Sequence, residues 1–109
     1  MTLVNLILMR RIGVKLRKMG LDDLDILILK ENFDEDMIKE LDMENVKIII
    51  DYLLRNKVYY AKDLLLNSLD LFLLDSNIFI EKFENLKIKL GSNYVDKLGE
   101  DMSLIELMY

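Results

Sequence analysis

The sequence predicts an all-α fold of six or seven helices. The 109 residues include no Pro, so nothing in the chain forbids long helices, and the apolar residues recur mainly at helical spacing. Gly or Asn follows several of these amphipathic stretches, and both residues tolerate the left-handed conformation that ends helices. The length fits one domain spanning 1–109 with one modest core.

The N-terminal segment predicts a helix that ends at Gly20. Four apolar residues share one of its faces: Leu8, Ile12, Leu16 and Met19. Asp22 or Asp23 is expected to cap a shorter helix that runs to about Asn32. Asp34 then offers an N-cap for the following helix.

The strongest helical pattern lies in the middle of the chain and stops near Asn56 and Lys57. Its apolar residues at i, i+3, i+4, i+7 and i+8 are Val46, Ile49, Ile50, Leu53 and Leu54. Tyr60 and Leu64 lie on the short helix that we expect next. The segment Leu69 to Leu74 then predicts a turn with a buried helical piece.

The C-terminal part predicts an amphipathic helix that Asp75 or Ser76 caps and Gly91 ends. Its apolar stripe consists of Phe79, Phe83, Leu86 and Leu90. We expect Ser92 to cap the next helix. Gly99 should break that helix before a last short helical piece.

Two apolar runs also fit short buried strands, namely Leu24 to Leu29 and Val46 to Ile50. Helices are the preferred interpretation because the helix stop signals fall in the right places. In addition, no hairpin dipeptide such as Asn-Gly occurs anywhere in the chain.

Similar segments recur along the sequence. Leu16 to Leu27 and Lys87 to Leu98 both run from basic and apolar residues through Gly to a polar turn and a new amphipathic stretch. Aligning Lys57 with Gly91 gives an offset of 34 residues, and aligning Gly20 with Lys57 gives 37. The pattern predicts about three helical repeats of about 35 residues, each a longer helix, a tight turn and one or two short helices. The alternative is an irregular helical bundle.

This unit of helix, Gly, short helix and apolar cluster resembles the repeats of the mitochondrial transcription termination factor family. The matching stretches are Leu16 to Leu29, Leu53 to Leu74 and Leu86 to Met108. Proteins of that family are curved α-solenoids that hold nucleic acid on a basic concave face. The resemblance lies in spacing and apolar pattern, and what it implies here is the solenoid architecture.

The net charge of −5 is unevenly distributed. Residues 1–20 form a basic N-terminal helix with five basic residues and no acid, whereas 21–109 form an acidic body with all 20 acids against ten basic residues. A nucleic-acid binder usually concentrates Lys and Arg over its contact face. The acidic body therefore favours a protein partner with a basic surface.

Two sets of side chains are candidate binding residues. The basic set, suited to phosphates or an anionic membrane surface, is Arg10, Arg11, Lys15, Arg17 and Lys18. Alternatively, this basic helix docks against the acidic body of its own chain. The aromatic set, suited to base stacking or to anchoring an interface, is Tyr52, Tyr59 and Tyr60.

The residue types present argue against catalysis. The chain has no Cys and no His, and so lacks the usual metal ligands, the commonest general base and the best nucleophile. Neither acidic cluster, at 22–25 or 34–36, fits an EF-hand loop. We therefore expect no enzyme, no cofactor and no metal.

The sequence predicts a non-catalytic, cytoplasmic, protein-binding module. Its acidic surface suits the basic site of a nucleic-acid-handling protein, which it would inhibit by occupying that site. The alternative is a small nucleic-acid-binding helical-repeat protein that uses the basic helix. Self-association is also compatible with the 52% hydrophobic content. The early apolar run, Leu3 to Met9, is too short to span a membrane.

Overall fold

The computed structural model describes residues 16–18 and 20–109. In that part the chain is all-α, as predicted, with no strand. Besides the helical residues 16–18, the α-helices are α1 (Asp23–Asn32), α2 (Glu35–Lys39), α3 (Met43–Arg55), α4 (Ala61–Asn67), α5 (Ser76–Leu90) and α6 (Tyr94–Glu100). Two 3-10 helices complete it, η1 (Leu69–Leu73) and η2 (Met102–Met108). Both runs that also fitted strands lie within helices, in α1 and α3.

Aspartates begin most of the longer helices. Asp22 caps α1 in a capping box, in which its carboxylate accepts from the backbone N–H of Asp25 and the Asp25 carboxylate accepts from that of Asp22. Asp42 caps α3 and Asp75 caps α5 through side-chain hydrogen bonds. Asp34 holds the N-cap position of α2, but its side chain makes no capping bond.

The three predicted helix stops all have positive φ: 90° at Gly20, 67° at Lys57 and 86° at Gly91. At the first two stops the hydrogen bonds are those of a Schellman motif. The N–H of Leu21 donates to Leu16 and that of Val58 to Leu53, both six-to-one bonds. The residues after these two stops, Leu21 and Val58, are buried and apolar, so the chain turns back into the core at both places.

Two predicted boundaries in the C-terminal part are wrong. Asn93, not Ser92, is the N-cap of α6, because the Tyr94 N–H bonds to the Gly91 carbonyl and delays the helix start. Gly99 does not break α6, which continues to Glu100. A Cβ at Gly99 would lie 3.1 Å from the ring of Tyr60, so this glycine makes room for the aromatic ring.

One buried apolar cluster joins the elements of the described part. The predicted stripe of α5 is wholly buried, and in α3 Val46, Ile49 and Leu53 are buried as well. Leu54, predicted on the same stripe, is 43% exposed, and Ile50 is only partly buried. The apolar stripe of α3 therefore extends beyond the core to the surface.

The order of α-helix, short α-helix and 3-10 helix occurs twice. The elements start at residues 43 and 76, at 61 and 94, and at 69 and 102, each pair 33 residues apart. Helices α3 and α5 pack against each other. At their N-terminal ends the Asn45 side-chain amide donates to the Leu74 carbonyl at 2.7 Å, and its oxygen accepts from the Ser76 N–H at 2.8 Å. The division into three repeats, with residues 16–39 as part of the first, stays a prediction.

Candidate protein interface

Negative charge is concentrated on residues 22–44, from the cap of α1 to the first turn of α3. Nine exposed carboxylates, here termed the acidic segment, lie in this range: Asp22, Asp23, Glu31, Asp34, Glu35, Asp36, Glu40, Asp42 and Glu44. The same range contains only two basic residues, Lys30 and Lys39. Much of the excess of acidic over basic residues in the body thus lies on residues 22–44.

Helix capping accounts for only part of this charge. The carboxylates of Asp22 and Asp42 accept backbone N–H bonds as caps, and acidic first turns complement the helix dipoles. Glu31 and Glu40 lie at or beyond the C-terminal ends of their helices, where a negative charge opposes the dipole. Local helix stability does not explain those two carboxylates.

The exposed face of α1 combines these charges with apolar side chains. Leu24 is 65% exposed and Leu27 is 51% exposed. At 100° per residue they share a face with Asp23 and Glu31, while the buried Leu29 lies on the other side. The repeat offset of 37 residues aligns Leu27 with the core residue Leu64, but Leu27 belongs to the surface. Two exposed leucines beside carboxylates form a small apolar area with an acidic border.

An ion pair between the buried Asp25 and the half-exposed Lys62 links α1 to α4. The Lys62 ammonium lies 3.0 Å from the carboxylate of Asp25, which is only 7% exposed. The Asp22 N–H, and then Lys62, lower the pKa of Asp25, and Asp25 raises the pKa of Lys62. The acidic segment is therefore held on the body by a carboxylate that stays ionised.

The structure describes two of the five basic candidate residues. Arg10, Arg11 and Lys15 lie outside the described residues. The Arg17 guanidinium lies 2.6 Å from the Asp23 carboxylate in an exposed ion pair. This pair joins residues only six positions apart, so it is a local contact, and docking of the basic helix against the acidic body stays a prediction. Lys18 is exposed and lines a cavity.

This first cavity adjoins the acidic segment and has a volume of about 450 Å³. Its described lining residues are Lys18, Met43, Glu44, Lys47, Ile50 and Asp51. Apolar side chains of α3 alternate there with two carboxylates and two ammonium groups. The cavity is therefore amphipathic, and the charges of its described lining residues balance.

The three candidate tyrosines do not form one binding surface. Tyr52 is buried, and its hydroxyl donates to Glu84; burial and then Glu84 raise the pKa of Tyr52. Tyr60 donates to the Val95 carbonyl, and burial raises its pKa. Tyr59 is 77% exposed and is the one of the three whose ring is open to a partner.

Sequence reasoning missed the polar network around Tyr52. The Asn56 side chain donates to the Tyr52 carbonyl and accepts from the Lys87 ammonium, while the Asn56 carbonyl accepts from the Tyr94 hydroxyl at 3.2 Å. The i, i+3 spacing of Glu84 and Lys87 was the one available signal. All these polar atoms serve contacts inside the chain, so the network is structural.

Within the described ranges, no group of three or more His, Cys, Asp or Glu side chains is arranged to hold a metal ion. Among the same residues, no helix has both the length and the apolar character needed to cross a bilayer. No protein-family model, curated protein or solved structure matches the chain. The resemblance to transcription termination factor repeats therefore stays a prediction, and the functional argument rests on the geometry.

Proposed function

We propose that the chain is a non-catalytic protein-binding module whose acidic segment occupies the basic site of a nucleic-acid-handling protein in the cytoplasm. The observation that carries this proposal is the density of exposed carboxylates on residues 22–44, nine against two lysines. Clustered surface charge of one sign steers association with a surface of the opposite sign. A basic site that binds phosphates is such a surface.

The placement of the charges supports inhibition by occupancy. All nine carboxylates lie on or at the ends of α1, α2 and α3. Asp22 caps α1 and Asp42 caps α3, and the Asp25–Lys62 pair links α1 to α4. The nine carboxylates are thus presented by a folded surface, which reduces the ordering cost on binding. Nucleic acid phosphates offer no apolar contacts, whereas Leu24 and Leu27 do. These contacts would make a protein a better partner for the acidic segment than free cations are.

The test compares two charge-matched variants. The first replaces Glu31, Glu35, Glu40 and Glu44 by Gln, which removes four charges from the acidic segment without touching a side-chain cap. The control removes four exposed charges elsewhere, by Glu81→Gln, Glu100→Gln, Asp63→Asn and Asp96→Asn. Both variants lower the net negative charge equally.

Immobilised chain is used to capture proteins from a nuclease-treated lysate, and each purified captured protein is then bound to a labelled oligonucleotide. We expect the wild type and the control variant to displace the oligonucleotide. The acidic-segment variant should associate with the captured protein at least about tenfold more slowly. Equal displacement by both variants, or an oligonucleotide that stays bound, would contradict the proposal.

The alternative function gives a different result in a gel shift. Direct binding of DNA or RNA by the chain at ~50 mM salt, lost when the five basic candidate residues are changed to Ala, would replace the proposed function with nucleic-acid binding. Phosphate-driven binding is strongest at low salt, so the absence of a shift there excludes the alternative.

A further inference from the structure

We propose that the cavity between α4 and η2 binds the side chain of a lysine from another polypeptide. This cavity, here termed the C-terminal cavity, has a volume of about 290 Å³. Its lining residues are Asn67, Ser68, Met102, Ser103, Ile105, Glu106 and Tyr109. At ~30 Å³ per water, that is the space of about ten waters, enough for one extended side chain. None of these residues belongs to the acidic segment, so the inference is independent of the proposed function.

Ser68 is a largely buried residue at this cavity whose hydroxyl has no protein partner among the described residues. Ser68 is only 8% exposed and lines the cavity. Its backbone N–H donates to Leu64 and its carbonyl accepts from Leu71, but its hydroxyl bonds to no residue that the structure describes. Every fully buried side-chain polar atom in the described part has a partner, so the Ser68 hydroxyl, which has none there, is accessible from outside the protein. A polar ligand atom would complete its hydrogen bonding.

The charges around the C-terminal cavity favour a cation. Glu106 lines it, and the carboxylate of Asp70 lies beside the Tyr109 hydroxyl, whose pKa is raised by burial and then by Asp70. Among the lining residues that the structure describes, none is basic. The nearby Lys82 and Lys89 donate instead to the carbonyls of Met108 and Leu107. An incoming ammonium group would therefore meet carboxylates without a competing cation.

The remaining lining residues match the rest of a lysine side chain. Met102 and Ile105 offer apolar surface for the four-carbon stem. The Asn67 amide nitrogen already donates to the Asp63 carbonyl, which leaves its side-chain oxygen as an acceptor. The lining residues thus include three acceptors, namely that oxygen, the Ser68 hydroxyl and the Glu106 carboxylate, and an ammonium group has three protons to donate.

The test uses lysine with both ends blocked, Nα-acetyl-lysine methylamide, as a probe in an NMR titration of the full chain. The neutral control is the same compound acetylated at Nε. We expect the charged probe to shift the amide signals of Ser68 and Glu106 with a dissociation constant on the order of 10 mM, as a small ligand with few contacts can reach. The acetylated probe should bind at least tenfold more weakly because it lacks the charge.

Two variants locate the site. Glu106→Gln should weaken binding of the charged probe about tenfold, and Ser68→Ala should weaken it severalfold, since each removes an acceptor from the ammonium group. Glu100→Gln removes an exposed charge from α6 outside the cavity and should leave binding unchanged. Equal binding of the two probes, shifts unaffected by Glu106→Gln, or no saturable shift would each overturn the proposal. Circular dichroism of each variant shows that the helices are retained.

Discussion

The hydroxyl of Tyr52 donates a hydrogen bond to the Glu84 carboxylate, at 2.5 Å, across the packed helices α3 and α5. The Lys87 ammonium lies 2.9 Å from the same carboxylate oxygen and 5.4 Å from the ring centroids of both Tyr52 and Tyr94. Tyr52 and then Lys87 lower the pKa of Glu84. The Glu84 carboxylate thus accepts a hydrogen bond from Tyr52 of α3 and another from Lys87 of its own helix, α5.

Removal of the Tyr52 hydroxyl should destabilise the fold. Tyr52→Phe keeps the buried ring but deletes a charge-assisted hydrogen bond, so the free energy of unfolding should fall by about 1.5 kcal/mol. Urea denaturation measures the change. Tyr59→Phe is the control: that side chain is 77% exposed, and its unfolding free energy should stay within about 0.5 kcal/mol of the wild type. Equal effects of the two substitutions would show that the Tyr52–Glu84 bond contributes nothing.

The Asp25–Lys62 pair should give the fold an acid-sensitive component. The folded-state pKa of Asp25 lies below its ordinary value of 3.8, so folding favours the ionised form. Its contribution is complete at pH values above the unfolded pKa and is lost as the pH falls through the folded one.

Asp25→Asn should therefore lower the free energy of unfolding by about 1–2 kcal/mol near neutral pH, because a capping-box acceptor and an ion pair are weakened together. As the pH falls below 3.8 and through the lower folded-state pKa of Asp25, the wild type loses the same contribution, so the difference should shrink. Urea titrations across this pH range check both expectations. Glu31→Gln, at an exposed carboxylate of the same helix, should show neither effect. A difference that persists undiminished in acid would refute the assignment.

Substitution of Lys57 by glycine should stabilise the folded protein. Its φ of 67° lies in the left-handed region, where a side chain other than that of Gly is strained by about 1 kcal/mol. Lys57→Gly relieves that strain, and the melting temperature should rise. Lys47→Gly removes the same charge from an exposed site inside α3 and should destabilise by about 1 kcal/mol. A loss of stability in both variants would mean that the Lys57 side chain makes a contact worth more than the strain.

Gly99 and Tyr60 should be energetically coupled. Alanine is the better helix former by about 1 kcal/mol, but at position 99 its methyl group would press on the Tyr60 ring. Gly99→Ala should therefore stabilise a Tyr60→Ala variant and fail to stabilise the wild type. A double-mutant cycle measured in urea should give a coupling of about 1 kcal/mol. A coupling free energy of zero would show that the Tyr60 ring does not pack against position 99.

Features encoded by neighbouring residues could be predicted from the sequence. The cap at Asp22, the stops at Lys57 and Gly91 and the buried stripe of α5 depend on a few adjacent residues and on helical spacing, and the structure confirms them. Gly99 was misjudged because its neighbour, Tyr60, is 39 positions away in the chain.

The candidate interface was only half predictable. The excess of acids in the body is visible in the sequence, but its concentration on exposed positions of residues 22–44 depends on which helix faces are buried. Leu24 illustrates the difficulty, because the apolar run 24–29 does not by itself indicate which of its leucines faces the core, and the structure leaves this one 65% exposed. The C-terminal cavity joins residues of α4 and η2, a juxtaposition that no spacing indicates.

Asn45 holds the start of α5 from both sides, through the carbonyl of Leu74 and the N–H of Ser76. At the opposite ends of the same two helices, Asn56 joins Lys87 and Tyr94. Two helices fastened at both ends resist sliding past each other, so loosening one should loosen the other in a single concerted unfolding event. Hydrogen exchange should accordingly give the amides of α3 and α5 the same protection.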